Sequence, residues 1–486
     1  MVDLYLFFIS TNCLNHTIMK KYILFFLLFV TVFTTKAQDA AMYKTVVEKI
    51  TTGFNAADYE SIYNMLSPDF KAQIEKQSFI GFLDHQARLG KITATEYKEV
   101  KDGFRVYKTT FDKGNLSLLL ACNAQSQIIG FSLSPYKEKA NRSTPVATDN
   151  KNTTPLDKEV DKALTDFFDD PDNIGAVVAV VKDGAIFYYH YGEAKKNSGK
   201  VPGNNAIFEI GSISKTFTGI LLAQAVLDKK LSLEDDIRKY LPAACAGLEL
   251  DGKPVLVKHL SNHTSGLPRL TDDLATTPGY NEEDPYAHYT AAMYNNYLAR
   301  VKLESVPGTK QEYSNTGVAV LGIILEKVYG KSYEQLLTTY VANPLNMKTT
   351  FVTLPAIQES NFASGYSDGK ETPHWNLMQT SAAGGIRSTV SDMVLYLKAN
   401  MADVTPAIAL SHKETFNNGI DAIGLGWFLY PTKGDSLIWH NGGTGGFTSY
   451  TGYLKEKKVG VVVLTNSSSQ GGPDKIGTAI LRFLQE

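Results

Sequence analysis

The sequence is poor in cysteine, in clustered basic charge and in long apolar stretches, and each shortage excludes something. Its 486 residues hold three cysteines, Cys13, Cys122 and Cys245, far apart and without a C-x-x-C. Neither a disulfide framework nor a thiolate zinc site can be assembled from them. Lys and Arg number 48 against 50 Asp and Glu, and no basic run is longer than two or three residues. That leaves no electrostatic footprint for nucleic acid, which is excluded as a partner. There is no G-x-G-x-x-G and no G-x-x-x-x-G-K-[ST], so the common nucleotide sites lack support. The longest apolar stretch, Tyr22 to Phe33, falls short of the roughly 20 residues a membrane span needs.

That stretch has a purpose of its own. From Met19 the chain reads two lysines, the apolar run, then Thr35-Lys36-Ala37 before Gln38, the three regions of a secretory signal with cleavage expected after Ala37. Residues 1–18 precede a complete signal, so Met19 reads as the true start, and the mature chain begins near residue 38. The expected location is extracytoplasmic, periplasmic or secreted, with no stable membrane span after cleavage.

Residues 39–136 read as a small α+β domain. Val46, Val47, Ile50 and Phe54, then Tyr59, Ile62, Tyr63 and Leu66, recur at helical spacing. From Phe104, alternating runs around Lys113-Gly114 and Asn123 to Ser126 predict antiparallel strands. The order resembles the small cone-shaped domains related to nuclear transport factor. Residues 137–156, rich in Asn, Thr, Lys and Pro, predict a flexible linker. Beyond it, 157–486 places a hairpin around Lys182-Asp183-Gly184 and two strand runs near the C-terminus, with a mostly helical middle. One domain with a sheet built from both chain ends follows, and the class is α+β.

S-x-x-K occurs at Ser134, Ser212 and Ser367, and context separates the three. Ser134 precedes Pro135 and Ser367 precedes Asp368-Gly369, both turn formers, whereas Ser212-Ile213-Ser214-Lys215 opens the apolar segment Phe217 to Leu227. On that helix Ser212 and Lys215 share a face. A desolvated lysine can take the proton that makes a serine nucleophilic. The plain alternative is a capping serine and a surface lysine. Tyr313 and Asn315 follow a loop and enter a second apolar helix, offering a phenol to move protons and a carboxamide to bind a carbonyl. Tyr294-Asn295-Asn296 has the same spacing, but inside a helix it reads as a solvated face. His440-Asn441-Gly442-Gly443 ends a strand in glycines, where backbone can approach a ligand closely.

With these segments in order, together with Phe208-Glu209-Ile210-Gly211, His259 to Pro268 and Gly384 to Thr389, the chain from about Asp157 resembles the β-lactamase and penicillin-binding protein superfamily, in its class C β-lactamase, D-aminopeptidase and esterase branch. The resemblance implies an antiparallel sheet flanked by helices with a helical subdomain. It implies Ser212 as acylated nucleophile, Lys215 as its base partner, Tyr313 as general base and proton shuttle, and Asn315, His440, Asn441 and Gly442 as substrate-binding residues. The N–H groups of Ser212 and Gly443 would form the oxyanion hole.

His440 stands where β-lactamases carry lysine, so efficient β-lactam hydrolysis is in doubt; an ordinary histidine, with a pKa near 6.5, would give a pH-tuned charge for a substrate carboxylate. His259 and His263 are four apart, but no carboxylate follows at ligand spacing, and they read as part of a structural loop. No metal or organic cofactor is expected. The reading is a serine hydrolase acting through an acyl-enzyme on a short peptide, D-amino-acid amide or ester, with cell-wall peptide a candidate source. The alternatives are a non-catalytic receptor for cell-wall peptide or β-lactam, and a true β-lactamase.

Overall fold

The computed structural model describes residues 36–101, 103–140, 145–432, 434–469 and 471–485. Cys13 and the signal segment from Met19 to Thr35 lie outside them. The chain divides after Glu138 into two compact units.

In the first unit, helices α1 (Lys36–Asn55), α2 (Tyr59–Asn64), α3 (Pro68–Lys71) and α4 (Lys76–Gln86) precede strands β1 (Ile92–Lys101), β2 (Phe104–Phe111), β3 (Gly114–Cys122) and β4 (Ile128–Pro135). The strands form an antiparallel meander in chain order. The helical stripe Val46, Val47, Ile50, Phe54 and Ile62 is buried with Leu116, Leu118, Leu120 and Phe131 in one apolar core. This is the α+β order expected, with three additions, of which α3 contributes Phe70 to the core. Helix α4 contributes Phe79 and Leu83 to the core. Strand β1, ITATEYKEVK, is exposed along nearly all its length, which is why its sequence carries no alternation to read.

The second unit is built around an eight-stranded antiparallel sheet drawn from both chain ends. Strands β5 (Gly175–Lys182) and β6 (Ala185–Gly192) lie beside β9 (Phe416–Asn417), β10 (Ala422–Ile423), β11 (Phe428–Thr432), β12 (Asp435–Gly443), β13 (Thr448–Leu454) and β14 (Val459–Thr465). Their order is β9-β10-β11-β12-β13-β14-β5-β6. Side chains alternate between the two faces of a strand, and both faces are covered. On one, Ala176, Val178, Val180, Val461 and Val463 pack on Val160, Leu164 and Phe167 of α5 (Pro155–Phe168) and on Ile476 and Ile480 of α10 (Gly472–Gln485). On the other, Val177, Ala179, Val181, Val462 and Leu464 join the large core of the helical region. That region holds α6 (Ser214–Leu227), α7 (Val257–Ser261), α8 (Asn315–Tyr329) and α9 (Val390–Met401). Strand β7 (Ile207–Glu209), paired with β8 (Arg387–Thr389), leads into α6. Among the described residues no helix is long and apolar enough to cross a membrane.

The segment read as a flexible linker has a defined course over 146–154. Thr148 bridges to Tyr191, Asp149 Oδ2 lies 2.6 Å from His190 Nδ1, and Asn150 donates to the Asp157 carbonyl at 2.8 Å and to the Tyr191 hydroxyl at 2.6 Å. Thr154 caps α5 in a capping box with Asp157. Composition marked a segment too polar to form a core of its own, and these side chains are instead satisfied on the β6 edge. A fragment beginning at Leu156 discards this clasp and the cap. We expect it to melt at least about 2–4 °C below one beginning at Lys139 while both hydrolyse a small ester. Equal melting temperatures would deny the clasp any stabilising part, and loss of activity in the longer fragment would make residues 39–138 part of the site.

Candidate active site

Strand β7 ends at Glu209 and the chain turns through a 3₁₀ turn, Gly211–Ile213, into α6. Ser212 does not cap that helix: the flanking position is Ile213, which offers no side-chain cap. The local bonding falls to Ser214, whose hydroxyl donates to the Gly211 carbonyl at 2.7 Å and accepts the Ile386 N–H at 3.0 Å. Ser212 Oγ is thereby left for Lys215, whose Nζ lies 2.9 Å away and donates to the Ala383 carbonyl at 2.5 Å. Lys215 is 1% exposed. Burial, helped by the Arg269 charge, pulls its amine well below the ordinary lysine pKa. A neutral amine has one lone pair, and with a proton engaged by Ala383 that lone pair is available to Ser212.

Ser314 caps α8 by accepting the Gly317 N–H at 2.9 Å, and its hydroxyl donates to the Pro268 carbonyl at 2.8 Å. These bonds fix Tyr313 and Asn315 on either side of the cap. Lys215 Nζ lies 4.8 Å from the Tyr313 ring centroid. Burial pushes the phenol up to about 12, against the opposing pull of the Ser212 hydroxyl and the Arg269 guanidinium. Asn315 Oδ1 is buried and has no hydrogen-bond partner among the described residues.

Two imidazoles complete the wall behind Tyr313. His263, in left-handed backbone at φ +62°, has its ring centroid 4.3 Å from that of Tyr313. Its Nδ1 accepts the Ser314 N–H at 3.2 Å, so the ring proton resides on Nε2. His440 lies 6.3 Å from Tyr313, centroid to centroid, and its Nδ1 donates to the Asn441 carbonyl at 2.5 Å, which leaves Nε2 as a lone pair. Both Nε2 atoms are buried without a partner among the described residues. Burial holds both rings neutral: His263 falls well below 6.5, and His440, aided by Lys215, falls to about 3.

Glycine and strand geometry set where the Ser212 and Gly443 amides lie. Thr444 N–H donates to the Phe447 carbonyl at 2.9 Å, making that pair a hydrogen-bonded one. Bonded and non-bonded pairs alternate along an antiparallel ladder, so Gly443, opposite Thr448, turns its N–H away from β13. Strand β11 pairs with β12 no further than Trp439, and the Ser212 turn packs against that open edge. A Cβ on Gly211, at φ +51°, would lie 2.5 Å from Gly443 N, and one on Gly442 would lie 2.9 Å from Ser212 N and overlap the Ile210 carbonyl. Only glycine at both positions lets the two backbones approach closely enough to bring the Ser212 and Gly443 amides together.

The structure brings Ser212, Lys215, Tyr313, Asn315, His440, Gly442 and Gly443 to one place, with two corrections. His440 is 0% exposed and neutral, so it cannot offer a carboxylate the charge titrating near pH 6.5 that its type suggested. Asn441, the next residue on the strand, points to the opposite face, where its carboxamide donates to Asp474 Oδ1 of α10 at 2.7 Å; its side chain is a tie between sheet and helix. Tyr294, taken for a solvated helix face, is buried and bonded to Thr380 at 2.8 Å.

Sequence reasoning passed over three residues. His263 lay in a segment read as structural, Arg269 stood without a motif, and Glu209 was noted only as flanking. Glu209 is buried, accepts the Trp375 N–H at 2.9 Å and faces Arg387 at 3.6 Å; burial raises it to about 7. Trp375 in turn occupies the space a Gly445 side chain would need.

The β-lactamase family model matches residues 160–485, and a family described as a protein of unknown function, DUF3887, matches residues 47–131. A β-lactamase of Pseudomonas fluorescens is 30% identical over 358 residues, covering 65% of this chain and 94% of that protein. A β-lactamase of Escherichia coli K12 is 28% identical, covering 67% and 93%. The D-alanyl-D-alanine-carboxypeptidase/endopeptidase AmpH of the same strain is 27% identical, covering 60% and 80%.

Proposed function

The chain belongs to the β-lactamase family as a serine hydrolase, and from that premise we propose that it is exported and acts through an acyl-enzyme at Ser212 on a short peptide, D-amino-acid amide or ester. The observation that carries this is the buried Lys215 amine, held by its burial well below the ordinary lysine pKa, 2.9 Å from Ser212 Oγ. Residues 19–37 would direct export.

Ser212 Oγ attacks the substrate carbonyl as its proton passes to Lys215. The oxygen that becomes negative is met by the Ser212 and Gly443 N–H groups, with Asn315 on the flank. When the tetrahedral species collapses, Lys215 returns the proton through the Tyr313 hydroxyl to the departing amine or alkoxide, and the acyl group stays on Ser212. Water then repeats the sequence in reverse roles. Tyr313, expected as general base, is protonated at rest because its phenol lies near 12, so it serves as relay and Lys215 as acceptor.

A neutral imidazole at His440, in the position of a cationic lysine, disfavours β-lactams. In a panel of p-nitrophenyl acetate, D-alanine p-nitroanilide and a chromogenic cephalosporin, kcat/KM for the ester or the anilide is expected to exceed that for the cephalosporin by at least about tenfold. The reverse order would identify a true β-lactamase. Stoichiometric labelling by all three with no turnover would identify a receptor.

A further inference from the structure

Glu209 ends β7, two positions before Gly211, and is only 4% exposed. Its Oε1 accepts the Trp375 N–H at 2.9 Å, while its Oε2 is buried and has no hydrogen-bond partner among the described residues. Arg387, opposite Glu209 in the β7–β8 ladder, does not fill that gap. Its Nη2 stands 3.6 Å from Oε1, beyond hydrogen-bond length, and the guanidinium donates to the Trp375 carbonyl at 2.5 Å and to the Val352 carbonyl. A second buried polar atom on this side is also without a partner among the described residues: the hydroxyl of Thr444, which is 4% exposed. It stands near enough to Glu209 to favour the ionised carboxylate. A carboxylate oxygen only accepts and a hydroxyl can donate, and leaving both unpaired away from water is costly.

Both contacts of Glu209 lead to the loop that follows Gly443. Thr444 is the next residue, and Trp375 packs against Gly445, where a Cβ would lie 2.6 Å from the indole Nε1. Building on the acyl-enzyme reading, we propose that Glu209 is a positioning residue: Oε2 accepts the Thr444 hydroxyl while Oε1 holds Trp375, and this clamp sets the Gly443 amide against the Ser212 turn. Glu209 touches neither substrate nor reacting atoms, and acts through the loop alone. The ionised form clamps best, because protonation takes an acceptor from the carboxyl group. Burial, the largest influence, raises Glu209 to about 7; Arg387 opposes the rise, and Asp284, whose Oδ1 accepts the Asn376 N–H at 2.9 Å, adds to it. The clamp is therefore complete above about pH 7 and weakens as pH falls through it.

The test follows kcat and KM for p-nitrophenyl acetate on the full chain from about pH 5 to 9. Acylation and deacylation both pass through an oxyanion, so the effect belongs in kcat. In the parent protein kcat should step down about fivefold as pH falls through about 7, in addition to the Lys215 limb. Thr444→Val should lower kcat about tenfold above that pH, leave KM within about twofold and erase the step, and Thr444→Ser should restore both. Glu209→Gln should erase the step as well, and the Glu209→Gln/Thr444→Val double variant should be within about twofold of the worse single one. Parent-like kcat in Thr444→Val, a step that persists in either single variant, or losses that multiply in the double variant overturns the proposal. Should Glu209→Gln fail to fold, the Thr444→Val and Thr444→Ser pair decides alone. If Ser212→Ala still cleaves the ester, the acyl-enzyme reading fails instead, and the two failures are told apart.

Discussion

Replacing Ser212 by alanine is expected to lower kcat by at least about 10⁴-fold and to abolish labelling by a fluorophosphonate, while the melting temperature stays within a few degrees of the parent. The size of the effect follows from the geometry of the turn. Of the two serines beside the helix entrance, Ser214 is fully buried and spends its hydroxyl on Gly211 and Ile386. Ser212 is partly exposed and has Lys215 within hydrogen-bond distance. No substitute nucleophile is therefore positioned against the Gly443 amide. The fold should survive, because the Ser214 bonds that shape the turn do not involve the Ser212 side chain. Substantial residual turnover in a well-folded Ser212→Ala protein would mean that the reaction runs elsewhere.

The second large effect concerns the proton path. Lys215→Ala and Tyr313→Phe should each reduce kcat by at least about 100-fold, and the double variant should be little worse than the more damaging single one. In the proposed mechanism Lys215 accepts the proton and Tyr313 passes it on, so breaking either link would break the same path. The amine must be unprotonated to accept, and burial with the Arg269 charge keeps it so well below the pH at which an exposed lysine would deprotonate. Activity is thus present above the depressed Lys215 pKa and falls as pH drops through it; the alkaline limb belongs to the phenol near 12. Multiplicative losses in the double variant would show that the two residues act on separate steps.

Much of this site was legible because its chemistry is local. Ser212 and Lys215 are three residues apart on one helix, Tyr313 and Asn315 flank one cap, and His440 to Gly443 end one strand, so residue type and spacing sufficed. What spacing could not give was direction and environment. His440 and Asn441 are adjacent, and strand alternation sends one ring to the reacting groups and the other side chain to Asp474; the sequence holds no sign of which face is which until the register of β12 is known. The depressed pKa of His440 likewise comes from residues remote in sequence that bury it. Arg269 and His263 enter through the fold alone, brought to Tyr313 by the bonds of Ser314, Asn315 and Thr316 to the loop after α7.

The same division holds for the fold. The apolar stripe of α1 and the uninterrupted apolar run of β5 announced themselves, since one is half-buried at helical spacing and the other is covered on both faces. Strand β1 did not, because its side chains face solvent and obey no burial pattern. The segment over 146–154 reads as disorder by composition, yet its polar groups find partners on Tyr191, His190 and Asp157 that composition cannot reveal.

The central claim is covalent and can be read by mass. During turnover of a p-nitrophenyl ester the full chain should be quenched in acid, digested with trypsin and sequenced by tandem mass spectrometry. The peptide from Val201 to Lys215 contains both Ser212 and Ser214. The account predicts a single acyl group on that peptide, assigned by fragmentation to Ser212 and absent from the Ser212→Ala protein. An acyl group on Ser214 or on any other peptide, or turnover with no trapped acyl group at any quench time, would contradict it.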